Sequence, residues 1–550
     1  MRARTTILVR FLVMTGASAG FVAGGCGHVS EPPPGGAVAP APAATPAAHA
    51  LPNGPPVGRT NEKESPDIAY WRGRTDLIKA PPPPAPEELP LPPIDRSKLP
   101  NGLEVMLVPR KGLPVVSFTV VIKAGAYDEV KDRTQGVADF TAAMLRHGAG
   151  RRSAEQISEA IDAVGGGLDA SAGSESTTLT CSVLTEHADT CLSLLGDLLA
   201  RPTFPAAEMA EIRDQLLAAL GGRDDDPHQL AAEHFDNLLF GEGHPDGWVL
   251  MPEHVNRITR DQLVAFWKAY YRPNNATLAV AGAIDPVAMK ARLSRALASW
   301  AAAPVPGRAA FQVPEVRGVR AILVDKPELS QATLMFGHPG LRHADPDWYA
   351  ATVVNYVLGG SDFSSRLMTE VRSKRGLTYG IGSSFGATLY PGAFRVSAST
   401  RNETADDALK VAVDEIRKLK TFGPTAEELT KARGYYAGST PFTLESPSEV
   451  ARAILSAQLH GLGVDYVKRL ALNLAAVDLA AAAAAAHRWL DPDDLAIVVV
   501  GRAAVVAPQL KKAGIPFEQV DAHAPISAAA RKAAASTAPA GAATAAPPGK

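Results

Sequence analysis

Two periods of apolar spacing run through most of this chain. Val115–Ile122 reads as an alternating strand, and Asp261–Tyr271 reads as an amphipathic helix with a 3.6-residue repeat. Thr277–Ala281 is a short apolar strand closed by Gly282, and Ala496–Val500 closed by Gly501 is a second one. The spacing from 361 to about 374 predicts a helix: Ser361 or Asp362 caps it, and Leu367, Met368 and Val371 form its apolar face. Arg372, Lys374 and Arg375 complement its C-terminal dipole, Gly376 is its left-handed terminator, and a strand begins at Leu377-Thr378-Tyr379.

The pattern repeats. Thr203-Phe204-Pro205 ahead of a helix returns as Thr421-Phe422-Gly423-Pro424, and Tyr271-Arg272-Pro273 ahead of a strand returns as Leu490-Asp491-Pro492. Pro205 to Pro424, Pro273 to Pro492 and Gly282 to Gly501 each span the same 219 positions. A constant offset means two copies of a unit of ordinary domain size. Strands and helices without strict alternation favour α+β, each half a sheet with helices on one face.

The expected organisation is a leader at 1–26, a Pro/Ala-rich spacer at 27–94, a first half at 95–303, a linker at 304–317, a second half at 318–525 and an Ala/Pro-rich tail at 526–550. The formal charge is −2 and no basic helix stands out, so nucleic acid is not an expected partner. Of three cysteines, Cys181 falls on an expected strand and Cys191 on the helix after it; a disulfide and two buried thiols both fit.

Two segments carry the chemistry. Ser364–Ser383, SSRLMTEVRSKRGLTYGIGS, resembles the C-terminal half of the M16 peptidases, the pitrilysin, insulinase and mitochondrial-processing-peptidase family. Thr134–His147, TQGVADFTAAMLRH, resembles that family's metal helix with its ligands removed: where H-x-x-E-H belongs stand Asp139, Ala142 and Ala143. Two His at i and i+4 share a helical face and reach one zinc ion, and the intervening Glu is the base for water. The family's third ligand lies before an acidic turn ending in Pro. Counted back from Pro227, its Glu-Glu pair falls on Ala218 and Ala219. The other histidines offer no substitute: His228 and His234 are about 240° apart around a helix, and His244, His254, His338 and His343 lack ligand spacing.

The resemblance implies two related α+β halves forming a half-shell, and no metal on this chain. It implies that Arg372 and Tyr379, seven residues apart, hydrogen-bond substrate backbone or the scissile carbonyl. Gly165-Gly166-Gly167 followed by Leu168, Asp169, Ala170 and Ser171 resembles the family's loop into an edge strand that takes an extended peptide by β-addition; a simple glycine turn is the plainer reading. Ala23-Gly24-Gly25-Cys26 resembles a bacterial lipobox, which implies lipidation of Cys26 and a cell-envelope location, at the outer membrane facing the periplasm; a leader that is simply cleaved or retained is the alternative.

The first expectation is therefore a non-catalytic, substrate-binding subunit of a heterodimeric peptidase. Its partner would bear H-x-x-E-H and zinc, and peptide or unfolded protein would be the substrate. The second is an inactive scaffold or peptide-binding envelope lipoprotein. An active peptidase with a relocated metal site ranks last.

Overall fold

The computed structural model describes residues 85–520, so the Cys26 segment, most of the spacer and the tail lie outside the described residues. The first half holds β1 (Asp95–Lys98), β2 (Glu104–Pro109), β3 (Val115–Ile122), a small hairpin of β4 (Gly148–Ala149) and β5 (Arg152–Ser153), β6 (Gly167–Ala172), β7 (Thr177–Leu184) and β8 (Ala276–Gly282). The second holds β9 (Arg320–Asp325), β10 (Gln331–Pro339), β11 (Thr378–Ala387), β12 (Pro391–Arg401), β13 (Ala496–Gly501) and β14 (Phe517–Val520).

Each half is built on a six-stranded sheet, ordered β1-β2-β8-β3-β7-β6 and β14-β9-β13-β10-β12-β11. The parallel pair β2/β8 matches the parallel pair β9/β13, and the next three pairings in each sheet are antiparallel. The protein is α+β with two homologous halves. Only the outermost strand differs: β1 enters antiparallel to β2, whereas β14 lies parallel to β9.

One face of each sheet carries its own helices. Phe118, Val120, Leu278 and Val280 pack with Phe140, Leu195 and Leu263 in the first half; Leu334, Phe336, Ile497 and Val499 pack with Val353, Leu409 and Leu474 in the second. The opposite faces differ from the expectation of helices on one face only. Helix Pro227–Phe240, from the first half, places Leu230, Phe235 and Leu239 on Val324, Met335 and Val498 of the second sheet. Helix Pro447–Leu459 returns the favour, with Val450, Ile454 and Leu455 on Met106, Val108, Ala279 and Ala281 of the first. The halves thus exchange equivalent helices. Every residue of β8 and β13 is buried as a result. That double burial explains why both strands read as unbroken apolar runs and not as alternation.

Cys181 on β7 and Cys191 on helix Ala188–Ala200 form a disulfide. This settles the choice left open by the sequence. Closing a ten-residue separation stabilises by about 2.5 kcal/mol through lost unfolded-state entropy. We expect Cys181→Ala/Cys191→Ala to lower the unfolding free energy by about that much. Urea titration with and without reductant checks it; equal midpoints in both buffers would show that the bridge adds nothing.

Candidate functional site

Helix Val137–Met144 starts at Gly136, whose φ of +87° suits glycine. The buried Glu129 carboxylate accepts the Gly136 and Ala138 N–H groups at 2.9 and 2.7 Å, tying off the helix N-terminus. Burial raises the Glu129 pKa, and the two backbone N–H groups oppose that rise. The helix packs on helix Ala206–Gly222, the helix that carries Ala218 and Ala219.

What they bring together does not fit zinc. Ala142 is buried, and Ala143 and Ala219 are half-buried and offer no donor; Ala218 is exposed. Asp139 alone can ligate, whereas a catalytic zinc takes three protein ligands. Among the described residues no group of three or more His, Cys, Asp or Glu is arranged to hold a metal ion. The histidines are engaged elsewhere: His228 with Ser399 at 2.9 Å, His254 near Asp132, His338 with the Asp491 N–H at 3.0 Å, and His343 with the Tyr466 hydroxyl at 2.8 Å. His244 is wholly buried, its ring among Tyr127, Phe240, Phe311 and Tyr390, and burial lowers its pKa. The acidic turn has a local role: Asp226 caps helix Pro227–Phe240 by accepting the His228 N–H at 2.8 Å.

Asp139 opens into a cavity of about 200 Å³ between the halves, lined also by Glu129, Asp236 and Asp246 from the first half and Thr388 and Arg395 from the second. Its side chain has open surface, but that surface faces the cavity. Surrounding protein mass desolvates it and pushes its pKa up to about 6. Asp236 is likewise raised to about 6 by burial, against the pull of Arg395 at 3.0 Å.

Arg372 and Tyr379 lie elsewhere. The segment reading as a helix from 361 begins later. Ser361 bonds Ser364 at 3.0 Å, and Ser365 accepts the Met368 N–H at 3.3 Å. From Met368 to Ser373 the turn widens to a π-helix. Gly376, at φ +62°, ends it as expected, with the Leu377 N–H donating to the Val371 carbonyl at 3.0 Å. Glu370 neutralises both flanking cations, Lys374 at 2.6 Å and Arg375 at 2.7 Å. Arg372 has no carboxylate partner among the described residues. Its guanidinium instead lies 4.8 Å from the Phe363 ring centre and 5.8 Å from that of Tyr379.

Tyr379 is the extra residue of a bulge in edge strand β11, since Thr378 pairs with Thr400 and Gly380 already pairs with Ser399. A bulge re-aims a side chain, and Tyr379 is 86% exposed. Phe363, 69% exposed, is not singled out by the sequence pattern; its signal is a lone aromatic in the polar turn at 361–365.

Strand β6 exposes only part of the Leu168–Ser171 stretch. The strand is an edge as expected, but Leu168 and Ala170 point into the core, and only Asp169 and Ser171 face outward. Arg146 already occupies the Leu168 carbonyl at 3.0 Å. The two candidate centres also stay apart. The cavity beside Asp139 touches β11 at Gly386, seven residues from Tyr379, or roughly 20 Å along a strand.

Family models match both halves: Insulinase (Peptidase family M16) over residues 105–252 and Peptidase M16 inactive domain over residues 257–435. An uncharacterized zinc protease of Streptomyces coelicolor is 30% identical over 373 residues, covering 66% of this chain and 80% of its own length. One of Bacillus subtilis is 27% identical over 356 residues, covering 64% of this chain and 85% of its own. Among solved structures, an M16 inactive domain from Pseudomonas fluorescens superposes with a TM-score of 0.70 at 26% identity, over 74% of this chain and 98% of that one. A Helicobacter pylori protease superposes at 0.69 with 20% identity, over 74% and 100%, which speaks to fold alone.

The raised Asp139 pKa fixes a sign. Between the unperturbed value near 4 and about 6, the folded state holds a proton that the unfolded state releases. Stability is therefore lost as pH rises through that window, and the loss is complete above it. Asp139→Asn should be more stable than the parent at pH 8, by no more than about 1 kcal/mol once cavity water screens the charge, and equal to it at pH 4. Thermal melts at both pH values check this; a variant less stable at pH 8 contradicts it.

Proposed function

The chain belongs to the insulinase family of peptidases, M16, and we propose that within it this protein is the substrate-binding, non-catalytic subunit of a two-chain peptidase. Arg372 and Tyr379 would donate hydrogen bonds to the backbone of an extended peptide and to the oxygen of the carbonyl under attack. A partner chain with intact H-x-x-E-H would supply zinc, water and the general base.

The observation that carries this reading is the state of Arg372. It is left without a carboxylate by Glu370's two other contacts and is flanked by two exposed aromatic rings beside an open sheet edge. A scaffold needs the same fold but no cation held this way. Asp139 is remote from the pair along β11, so the geometry favours a reaction centre completed from outside the chain over one rebuilt within it. Tethering through Cys26 at the outer membrane, facing the periplasm, is part of the same proposal; it would bring the subunit to unfolded envelope proteins.

Hydrogen bonds that strengthen as negative charge develops lower kcat more than KM when they are removed. Mixed with its H-x-x-E-H partner, the Arg372→Ala chain should cleave an unstructured peptide about 100-fold more slowly, and Tyr379→Phe about tenfold. Asp139→Ala should leave the rate unchanged. Full activity in both the Arg372 and Tyr379 variants would remove the role assigned to them.

A further inference from the structure

The chain is nearly neutral, with a formal charge of −2, yet one pocket on the first half is strongly positive. It measures about 960 Å³ and is lined by Arg151, Arg152, Arg201, Arg292 and Arg295. Two carboxylates, Asp189 and Asp197, face these five guanidiniums, which leaves three positive charges uncompensated. No single stretch of sequence announces it. The arginines come from the β4–β5 turn, the end of helix Ala188–Ala200 and one face of helix Pro286–Ala296.

The pocket is built, not incidental. Asp197, 6% exposed, accepts from both Arg152 and Arg201 and holds them side by side. Arg152 also donates to the Ser193 hydroxyl at 3.0 Å. Arg292 is fixed by Asp189 at 2.7 Å. The turn that presents Arg151 and Arg152 closes over Asp197 at Gly150, which has φ +61°. A Cβ there would lie 2.9 Å from the Asp197 carboxylate, and the Gly150 N–H donates to the Arg201 carbonyl at 2.8 Å. Gly196 lets the two helices meet backbone to backbone, since a Cβ would fall 2.7 Å from the Ala296 carbonyl oxygen. Arg151 and Arg295 are exposed and have no carboxylate partner among the described residues.

We propose that this arginine pocket binds a phosphorylated anion of two or more charges, as the headgroup of a membrane lipid or as a soluble phosphate compound. Guanidinium forks match phosphate oxygens bidentately, and arginines already held by Asp197 and Asp189 lose little freedom on binding. A volume of about 960 Å³ exceeds what one phosphate needs and falls in the range of small-molecule sites, roughly 300–1,000 Å³. The reading is independent of the peptidase role, because the pocket shares no residue with the Arg372 surface or the Asp139 cavity.

The test uses the full chain at low salt with two probes: inorganic pyrophosphate by calorimetry, and vesicle sedimentation on phosphatidylcholine with or without phosphatidic acid. The parent should bind at least one probe, more weakly as salt rises. Pyrophosphate alone marks a soluble ligand, and phosphatidic acid vesicles alone mark a headgroup. Arg151→Glu/Arg295→Glu should weaken binding at least tenfold, and Arg151→Gln/Arg295→Gln by an intermediate factor. Neither arginine side chain has an ion-pair or hydrogen-bond partner among the described residues, so both variants should keep the parent's circular dichroism. Lys111→Glu/Arg257→Glu, an equal charge change outside the pocket, should bind like the parent. No binding of either probe by the parent, or the same loss in the Lys111/Arg257 control, overturns the proposal.

Discussion

The exchange of helices between the two halves is the constraint on which the rest of this structure depends. A sheet with one bare apolar face is not a closed core. Here each sheet's second face is finished by a helix that belongs in sequence to the other half, Pro227–Phe240 in one direction and Pro447–Leu459 in the other. The halves therefore fold as partners. Around the exchanged helices sit the polar contacts that fix their angle: Arg395 on Asp236, His228 on Ser399, and Arg110 on the Leu444 and Glu445 carbonyls. Half-buried Glu175 reaches across to His460 at 3.1 Å.

This packing decides which surfaces remain for function. Strand β11 runs from an exposed end at Tyr379 to an end at Gly386 that closes the Asp139 cavity. One strand thus lines the cavity beside helix Val137–Met144 at one end and presents Tyr379 outward at the other. A bulge at one residue and a π-turn just before it turn Tyr379 and Arg372 to the same side. Both devices interrupt regular hydrogen bonding, as functional segments commonly do.

Much of this was legible because it is local. The 219-residue offset located equivalent strands, and Gly376 ended its helix where the left-handed terminator was expected. Asp139, Ala142 and Ala143 lie on a helix that meets the helix of Ala219. What escaped was non-local or hidden by degeneracy. The segment from 366 starts later than expected because Ser361, Asp362, Ser364 and Ser365 are all capable caps by residue type, and it is Ser365 that accepts the Met368 N–H. A strand's period of two also divides Leu168–Ser171: the Leu168 and Ala170 side chains enter the core, while the backbone of all four lies on the edge strand that β-addition would use. The arginine pocket joins Arg151 to Arg295, 144 positions away (295 − 151), beyond any helix-face or charge-run pattern.

The alanines of the degenerate helix also have a physical logic. Its active counterparts in the family place two imidazoles and carboxylates around a dication, which balances their charge. Without the cation, each retained carboxylate would be a desolvated charge in want of a partner. Asp139 shows the cost of such desolvation: burial pushes its pKa up to about 6. The cavity already holds Asp236 and Asp246, both raised by burial, against one arginine that lines it, Arg395. A carboxylate in place of the buried Ala142 would add a further desolvated charge to the same helix, whereas alanine keeps the helix and needs no counter-charge. Alanine at 142, 143, 218 and 219 thus leaves both helices intact with Asp139 as the one potential ligand among these positions.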